Sequence, residues 1–184
     1  MGIFPICLSL KNRFDYLGNI PGNIAVEPTI PAKSISPLPI MGWREWVSMP
    51  NLGLPHLKAK IDTGARSSSL HAIDVETFHQ DDAVFVRFNV HPVQRSQRRL
   101  IACQAQIHDV RSVRSSSGEV ADRYVIRTPI RWKNQVWEVE LTLADRSSMG
   151  FRMLLGREAI RGRMLVNPGQ SYYGGRPKRR KKKP

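Results

Sequence analysis

The chain has 184 residues, 41% of them hydrophobic, enough for one core and not comfortably for two. Of the formal charge of +14, seven units sit on Arg176, Lys178, Arg179, Arg180, Lys181, Lys182 and Lys183, leaving +7 on a body that is basic without being extreme. No apolar run approaches the roughly 20 residues of a membrane span, and two distant cysteines, Cys7 and Cys103, give no disulfide framework and fit a reducing, cytoplasmic setting.

Residues 1–40 lack any sustained periodicity. Pro5, Pro21, Pro28, Pro31, Pro37 and Pro39 interrupt every candidate element. Ile3 to Leu10 is apolar, but no positive charge precedes it and no small-residue cleavage site follows promptly, so it does not read as a secretion signal. Ile6 stands where a myristoylation signal needs Ser or Thr. Met41 directly precedes Gly42-Trp43-Arg44-Glu45-Trp46-Val47, where ordered patterning begins. Two readings stand for residues 1–40: a flexible N-terminal arm, or a non-native extension upstream of a start at Met41.

Residues 41–173 read as one all-β domain. Leu57 to Ile61 is a strand-like run. Val84, Val86, Phe88 and Val90 alternate with polar or outward residues, the period of a half-buried strand. Ile101, Cys103, Ala105 and Ile107 repeat the pattern, as do Trp137, Val139, Leu141 and Leu143. Arg123 to Ile130 is a further β-branched run, which Pro129 should confine to an edge or a strand end. Turn-rich links separate these runs at Gln80–Asp82, Ser115–Gly118, Lys133–Gln135 and Asp145–Ser148. Short strands with turns at roughly 8–12-residue spacing predict a barrel or sandwich. One short helix is predicted from Arg157 to about Ile160. Residues 174–184 form a like-charge block that should not fold. That block is either a solubilising end or an electrostatic handle for RNA, ribosomes or acidic peptides, carried by Arg176–Lys183.

The chemistry concentrates at Asp62-Thr63-Gly64-Ala65, directly behind the Leu57–Ile61 strand. A carboxylate at a strand end followed by Thr and Gly is how aspartic peptidases hold a catalytic Asp. Met153-Leu154-Leu155-Gly156-Arg157 is the matching apolar run that packs under such a loop. Hydrolysis by carboxylates needs two of them on one water, sharing one proton. Asp109, Asp122 and Asp145 are not followed by Thr or Ser and Gly, so no second lobe is present in the chain. The partner of Asp62 should be Asp62 of a second copy across a two-fold axis. The alternative is an ordinary turn after a strand, since Asp and Gly both favour turns.

From Gly42 to about Tyr173 the chain resembles the retropepsin-like family catalogued as "ATP-dependent zinc proteases", often encoded beside ATP-grasp glutamate ligases. Carrying the resemblance are Gly42–Trp46, Lys58–Arg66, Tyr124–Arg127 and Met149–Arg157. It implies a closed β-barrel equivalent to an acid-protease half-lobe, a homodimer, a peptide or protein substrate, and an ATP-grasp glutamate ligase as a partner. By that resemblance Asp62 is the catalytic carboxylate, Thr63 locks the two loops across the dimer, and Gly64 lets backbone approach substrate.

Several residues depart from retroviral relatives. Lys58, Lys60 and Asp62 are spaced by two, so on a strand they share one face. An adjacent ammonium favours a charged carboxylate and opposes a shared-proton pair. Arg66 stands where retropepsins carry an acid that pairs with the Arg after Leu-Leu-Gly, here Arg157. These positives suit an acidic or glutamate-rich substrate, with Lys58, Lys60, Ala65, Arg66 and Arg157 as substrate contacts. For Lys58 and Lys60 the competing reading is a solvated strand edge.

No metal or cofactor is expected. The five histidines form no His-Glu-x-x-His, and His71, His79, His91, Cys103 and His108 are scattered. No phosphate-binding Gly-x-x-x-x-Gly-Lys loop is present, nor a Gly-x-Ser-x-Gly elbow around Ser67–Ser69. Trp43, Trp46, Trp132 and Trp137 read as core or barrel-end packing rather than a base-stacking platform. The expected function is an aspartic-type endopeptidase, with a peptide- or ribosomal-tail-binding module or an RNA-associated protein as alternatives.

Overall fold

Period-two patterning builds the walls of this fold. The computed structural model describes residues 37–114, 118 and 120–177. In chain order these form β1 (Ile40–Gly42), β2 (Arg44–Met49), a 3-10 turn (Pro50–Leu52), β3 (Leu54–Asp62), β4 (Ser68–His71), β5 (Ile73–Gln80) and β6 (Ala83–Val90). There follow β7 (Ile101–Arg114), β8 (Val120–Trp132), β9 (Gln135–Ala144), β10 (Met153–Gly156), α1 (Arg157–Ile160) and β11 (Leu165–Asn167). The order β2-β3-β10-β4-β9-β8 closes on itself where Ser48 of β2 bridges Arg131 of β8, giving a six-stranded barrel. Strands β7, β6 and β5 continue the sheet beyond β8, while β1 and β11 form a separate parallel pair.

Leu57, Ala59 and Ile61 of β3 point inward against Leu70, Leu141, Met153 and Leu155. The β9 stripe Trp137, Val139, Leu141 and Leu143 is buried as its alternation requires. On β6, Val86, Phe88 and Val90 are buried, whereas Val84 at the strand start is exposed. The short helix falls at Arg157–Ile160, pinned by Trp137, whose Nε1–H donates to the Ala159 carbonyl at 2.9 Å.

Three features differ from the sequence reading. Ile73–Gln80 is a strand although its residues are nearly all exposed; it is the outer edge of the β7-β6-β5 extension and needs no apolar face. Strands β7 and β8 run far past their apolar segments, because they pair with each other through polar residues from Asp109 to Arg114, after a bulge between Ile107 and Asp109. Pro129 lies inside β8, a central strand, rather than at an edge or strand end; it stands opposite Glu138 of β9, past Ile126 where the β7 pairing ends, so one flank of β8 carries no β7 ladder there. The expectations for residues 1–36 and 178–184 lie outside the described residues.

The fold also extends past Tyr173, and residues 174–177, read as tail, belong to it. Glu45 is fully buried and explains why. Its Oε1 accepts N–H bonds from Gly42 (2.7 Å) and Tyr173 (2.8 Å); its Oε2 accepts from Gly174 (3.0 Å) and the Trp132 indole (3.0 Å). One carboxylate thus ties the chain segment entering the barrel, the segment leaving it and the β8 wall. Glu45→Ala orphans two buried donors, Gly42 N–H and the Trp132 indole, and two half-buried ones at Tyr173 and Gly174, and unpaired buried groups cost about 1–3 kcal/mol each before relaxation. Chemical denaturation should show a loss of at least about 3 kcal/mol; a loss below about 1 kcal/mol contradicts this role.

Candidate active site

Asp62 ends β3, which lies in parallel register with β10, Ala59 opposite Met153 and Asp62 opposite Gly156. Past Asp62 the chain crosses over Gly156 before entering β4. A Cβ built on Gly156 would sit 2.5 Å from the Ser67 carbonyl carbon and 2.8 Å from the Arg66 oxygen, so only glycine admits the crossing. Three bonds fasten it: Gly156 N–H to Ser68 Oγ (3.0 Å), Arg157 N–H to Ala65 O (2.8 Å) and Glu158 N–H to Arg66 O (3.2 Å). Arg157 adds a guanidinium bond to the Thr63 carbonyl at 3.1 Å. The Leu-Leu-Gly-Arg run therefore does hold the Asp62 loop from beneath.

Within the loop, Asp62 Oδ1 accepts from the N–H groups of Gly64 and Ala65, both at 3.2 Å. The other oxygen, Oδ2, lies 3.5 Å from Lys60 Nζ, with the Asp62 side chain about one-quarter exposed. One oxygen is thus fixed by the turn and the other remains available at the surface. Thr63, Gly64 and Arg66 are exposed, and Ala65 is half-buried. Lys58 and Lys60 share the outward face with Asp62, as their spacing required. They do not sit on a sheet edge, since β3 is flanked by β2 and β10. Arg66 and Arg157 converge through backbone rather than through an acid: Arg157 turns to the Thr63 carbonyl instead.

Two buried arginines were not foreseen in the sequence, and one of them, Arg146, lies within electrostatic reach of Asp62. Arg146 and Arg152 bracket the turn after β9, and both are buried. Burial lowers the Arg146 pKa, as does the nearby Arg123 charge, while Asp62 partly offsets them. Arg146 Nε donates to the Phe151 carbonyl at 3.3 Å, and Arg152 Nη1 has no hydrogen-bond partner among the described residues. Such residues sit in a Ser- and Gly-rich turn whose composition advertises only exposure. A cavity of about 630 Å³ is lined by the Arg66–Ser68 segment with Arg111, Glu140 and Glu158 among others, and Asp62 is not part of its wall.

His71, one of the scattered histidines, is buried in the core. Its Nδ1 accepts the Arg146 backbone N–H at 2.9 Å, which places the proton of the neutral ring on Nε2. Asp145 Oδ1 is 3.5 Å from the same nitrogen, but with Nδ1 already accepting, no ion pair forms there. Burial, then the Arg152 charge, holds the His71 pKa below its ordinary value. Among the described residues no three His, Cys, Asp or Glu side chains gather as a metal site, and no helix is long and apolar enough to cross a membrane.

The sequence model of the family described as "RimB-like: Retropepsin-like aspartic endopeptidase RimB" matches residues 40–177. The chain belongs to this family. The matched span of the RimB-like domain includes β1 and the Gly174–Pro177 segment clamped by Glu45. A probable alpha-L-glutamate ligase of Desulfotalea psychrophila is 46% identical over 129 residues, 70% of this chain and 28% of that protein. One from Shewanella halifaxensis is 45% identical over 133 residues, 72% of this chain and 29% of that protein. The chain thus spans under a third of the length of these curated relatives. A crystal structure of Lpg0085 from Legionella pneumophila, a protein of unknown function, shares the fold with a TM-score of 0.63 at 24% identity, covering 74% of this chain and 98% of that one.

Two measurements probe this geometry. Gly156→Ala forces backbone apart and should cost about 1–3 kcal/mol in denaturation; an unchanged midpoint contradicts the crossing. For His71, the unfolded chain binds a proton near pH 6.5 that the folded ring resists, so stability falls as pH drops below that value. Wild type should lose Tm between pH 7 and 5, and His71→Asn, whose amide oxygen can still accept the Arg146 N–H, should lose less. Parallel slopes refute this assignment.

Proposed function

We propose that this chain is an aspartic-type endopeptidase acting as a homodimer on acidic or glutamate-modified polypeptides. The observation that carries the reading is Asp62 itself: a surface-accessible carboxylate at the end of a barrel strand, cross-braced under its loop by β10. Two copies brought together at a two-fold axis would place both carboxylates on one water. One accepts a proton as the water oxygen attacks the scissile carbonyl carbon; the other donates its proton to the carbonyl oxygen. Collapse of the diol then breaks the C–N bond, and a carboxyl proton goes to the departing amine. The positive surroundings of Asp62, from Lys60 at the surface to Arg146 below, support an anionic substrate. Relatives described as probable glutamate ligases support a role near glutamate-bearing chains and a ligase as working partner.

A second reading is favoured by one contact. Lys60 stands at the Asp62 oxygen that a partner carboxylate would need to face. On that reading the domain grips acidic chains without cutting them. Asp62→Asn separates the two: cleavage of glutamate-rich peptides, followed by mass spectrometry, should fall by about 10²–10⁴-fold while peptide affinity survives. No cleavage by the wild type leaves the binding module. Sedimentation should find a dimer under cleavage conditions, and an active monomer would exclude the paired-carboxylate mechanism.

A further inference from the structure

The outward face of β3 continues away from Asp62 as a line of basic side chains. His56, Lys58 and Lys60 alternate with the inward Leu57, Ala59 and Ile61. At about 3.3–3.4 Å per residue, His56 lies about 20 Å from Asp62 along the strand. Strand β2 sets Arg44 beside Lys60 and Trp46 beside Lys58. At the far end the line opens into a groove of about 610 Å³, walled by His56, Arg131, Lys133 and Arg176 with Trp46, and among the described residues no Asp or Glu lines it.

Aromatic rings hold four of the cations along this face. Arg44 lies 4.4 Å over Trp43 and 5.1 Å over Tyr172, Lys58 lies 5.1 Å over Trp46, Lys133 4.8 Å over Trp132 and Arg176 4.7 Å over Tyr172. Lys58, Arg131, Lys133 and Arg176 have no ion-pair partner among the described residues. A ring orients a cation without neutralising it, so each keeps N–H donors and full charge for a ligand. The same contacts occupy ring faces that single-stranded nucleic acid uses for base stacking.

We propose that this groove is a second binding site, which holds an acidic polypeptide segment leading along β3 from Asp62. An extended peptide presents every second side chain to one side, so carboxylates of a glutamate run repeat at the spacing of His56, Lys58 and Lys60. Guanidinium forks at Arg131 and Arg176 suit carboxylates at the groove end. The link to cleavage rests on the peptidase reading of Asp62; the binding itself does not.

The test uses fluorescein-labelled glutamate peptides of four and ten residues and a ten-nucleotide single-stranded RNA, measured by anisotropy against the full chain. In Arg131→Glu/Lys133→Glu, which changes exposed side chains, the ten-residue peptide should bind at least about tenfold more weakly at low salt. The four-residue peptide, too short to reach from Asp62 to the groove, should lose less. Arg131→Gln/Lys133→Gln should show the same order with a smaller loss, and thermal melts confirm that both variants are folded. Unchanged binding of the long peptide overturns the proposal. So does RNA binding more tightly than the long peptide with the same loss in the variants, which makes the groove a nucleic-acid site. Loss of long-peptide binding in a protein that cleaves nothing keeps the groove and removes the peptidase reading; cleavage with unaltered long-peptide binding does the reverse.

Discussion

The site depends on a crossing that leaves no room for a side chain. Asp62 and Gly156 face each other on parallel strands, and the segment after Asp62 passes over Gly156 so closely that a methyl group would strike the Ser67 and Arg66 backbone. The crossing is what turns a strand end into a fixed carboxylate. Because Arg157 and Glu158 donate backbone N–H groups to Ala65 and Arg66, the helix that starts there is braced by the loop it supports. Residues far apart in sequence thus form one mechanical unit, and movement of either half displaces the Asp62 oxygens.

Around that unit the charge is lopsided. One Asp62 oxygen is satisfied by two backbone donors, the other faces the Lys60 ammonium, and buried Arg146 lies within electrostatic reach. Arg152 keeps a buried guanidinium nitrogen without a partner among the described residues. Burying such groups is costly unless a counter-charge arrives. The closed barrel and the Glu45 clamp supply the rigidity that keeps these charges in place, since Glu45 joins β1, β8 and the Tyr173–Gly174 segment at one carboxylate.

Where apolar and polar residues alternate and one face meets the barrel interior, as in Val86–Val90 or Trp137–Leu143, the strand was legible from composition alone. Ile73–Gln80 was not, because an edge strand on a sheet extension buries neither face and carries no hydrophobic period. The far halves of β7 and β8 escaped for the same reason: their pairing is made by backbone bonds between polar residues. Arg146, Arg152 and His71 were hidden differently. Arg146 and Arg152 lie in a polar turn and His71 ends a short strand of Ser and Leu, and nothing in those local patterns marks them as buried.

The sequence by itself determined the all-β class, the short helix at Arg157 and the carboxylate at Asp62, because periodicity and local turn chemistry are written in neighbouring residues. It also set Lys58 and Lys60 on the face of Asp62, through the two-residue repeat of a strand. Only the tertiary structure decided that β3 is an inner strand, that Glu45 clamps residues 42, 132, 173 and 174, and that Arg146 stands near Asp62. Those facts arise from contacts between residues tens of positions apart, and such contacts are fixed by barrel closure and strand register, which no local pattern encodes.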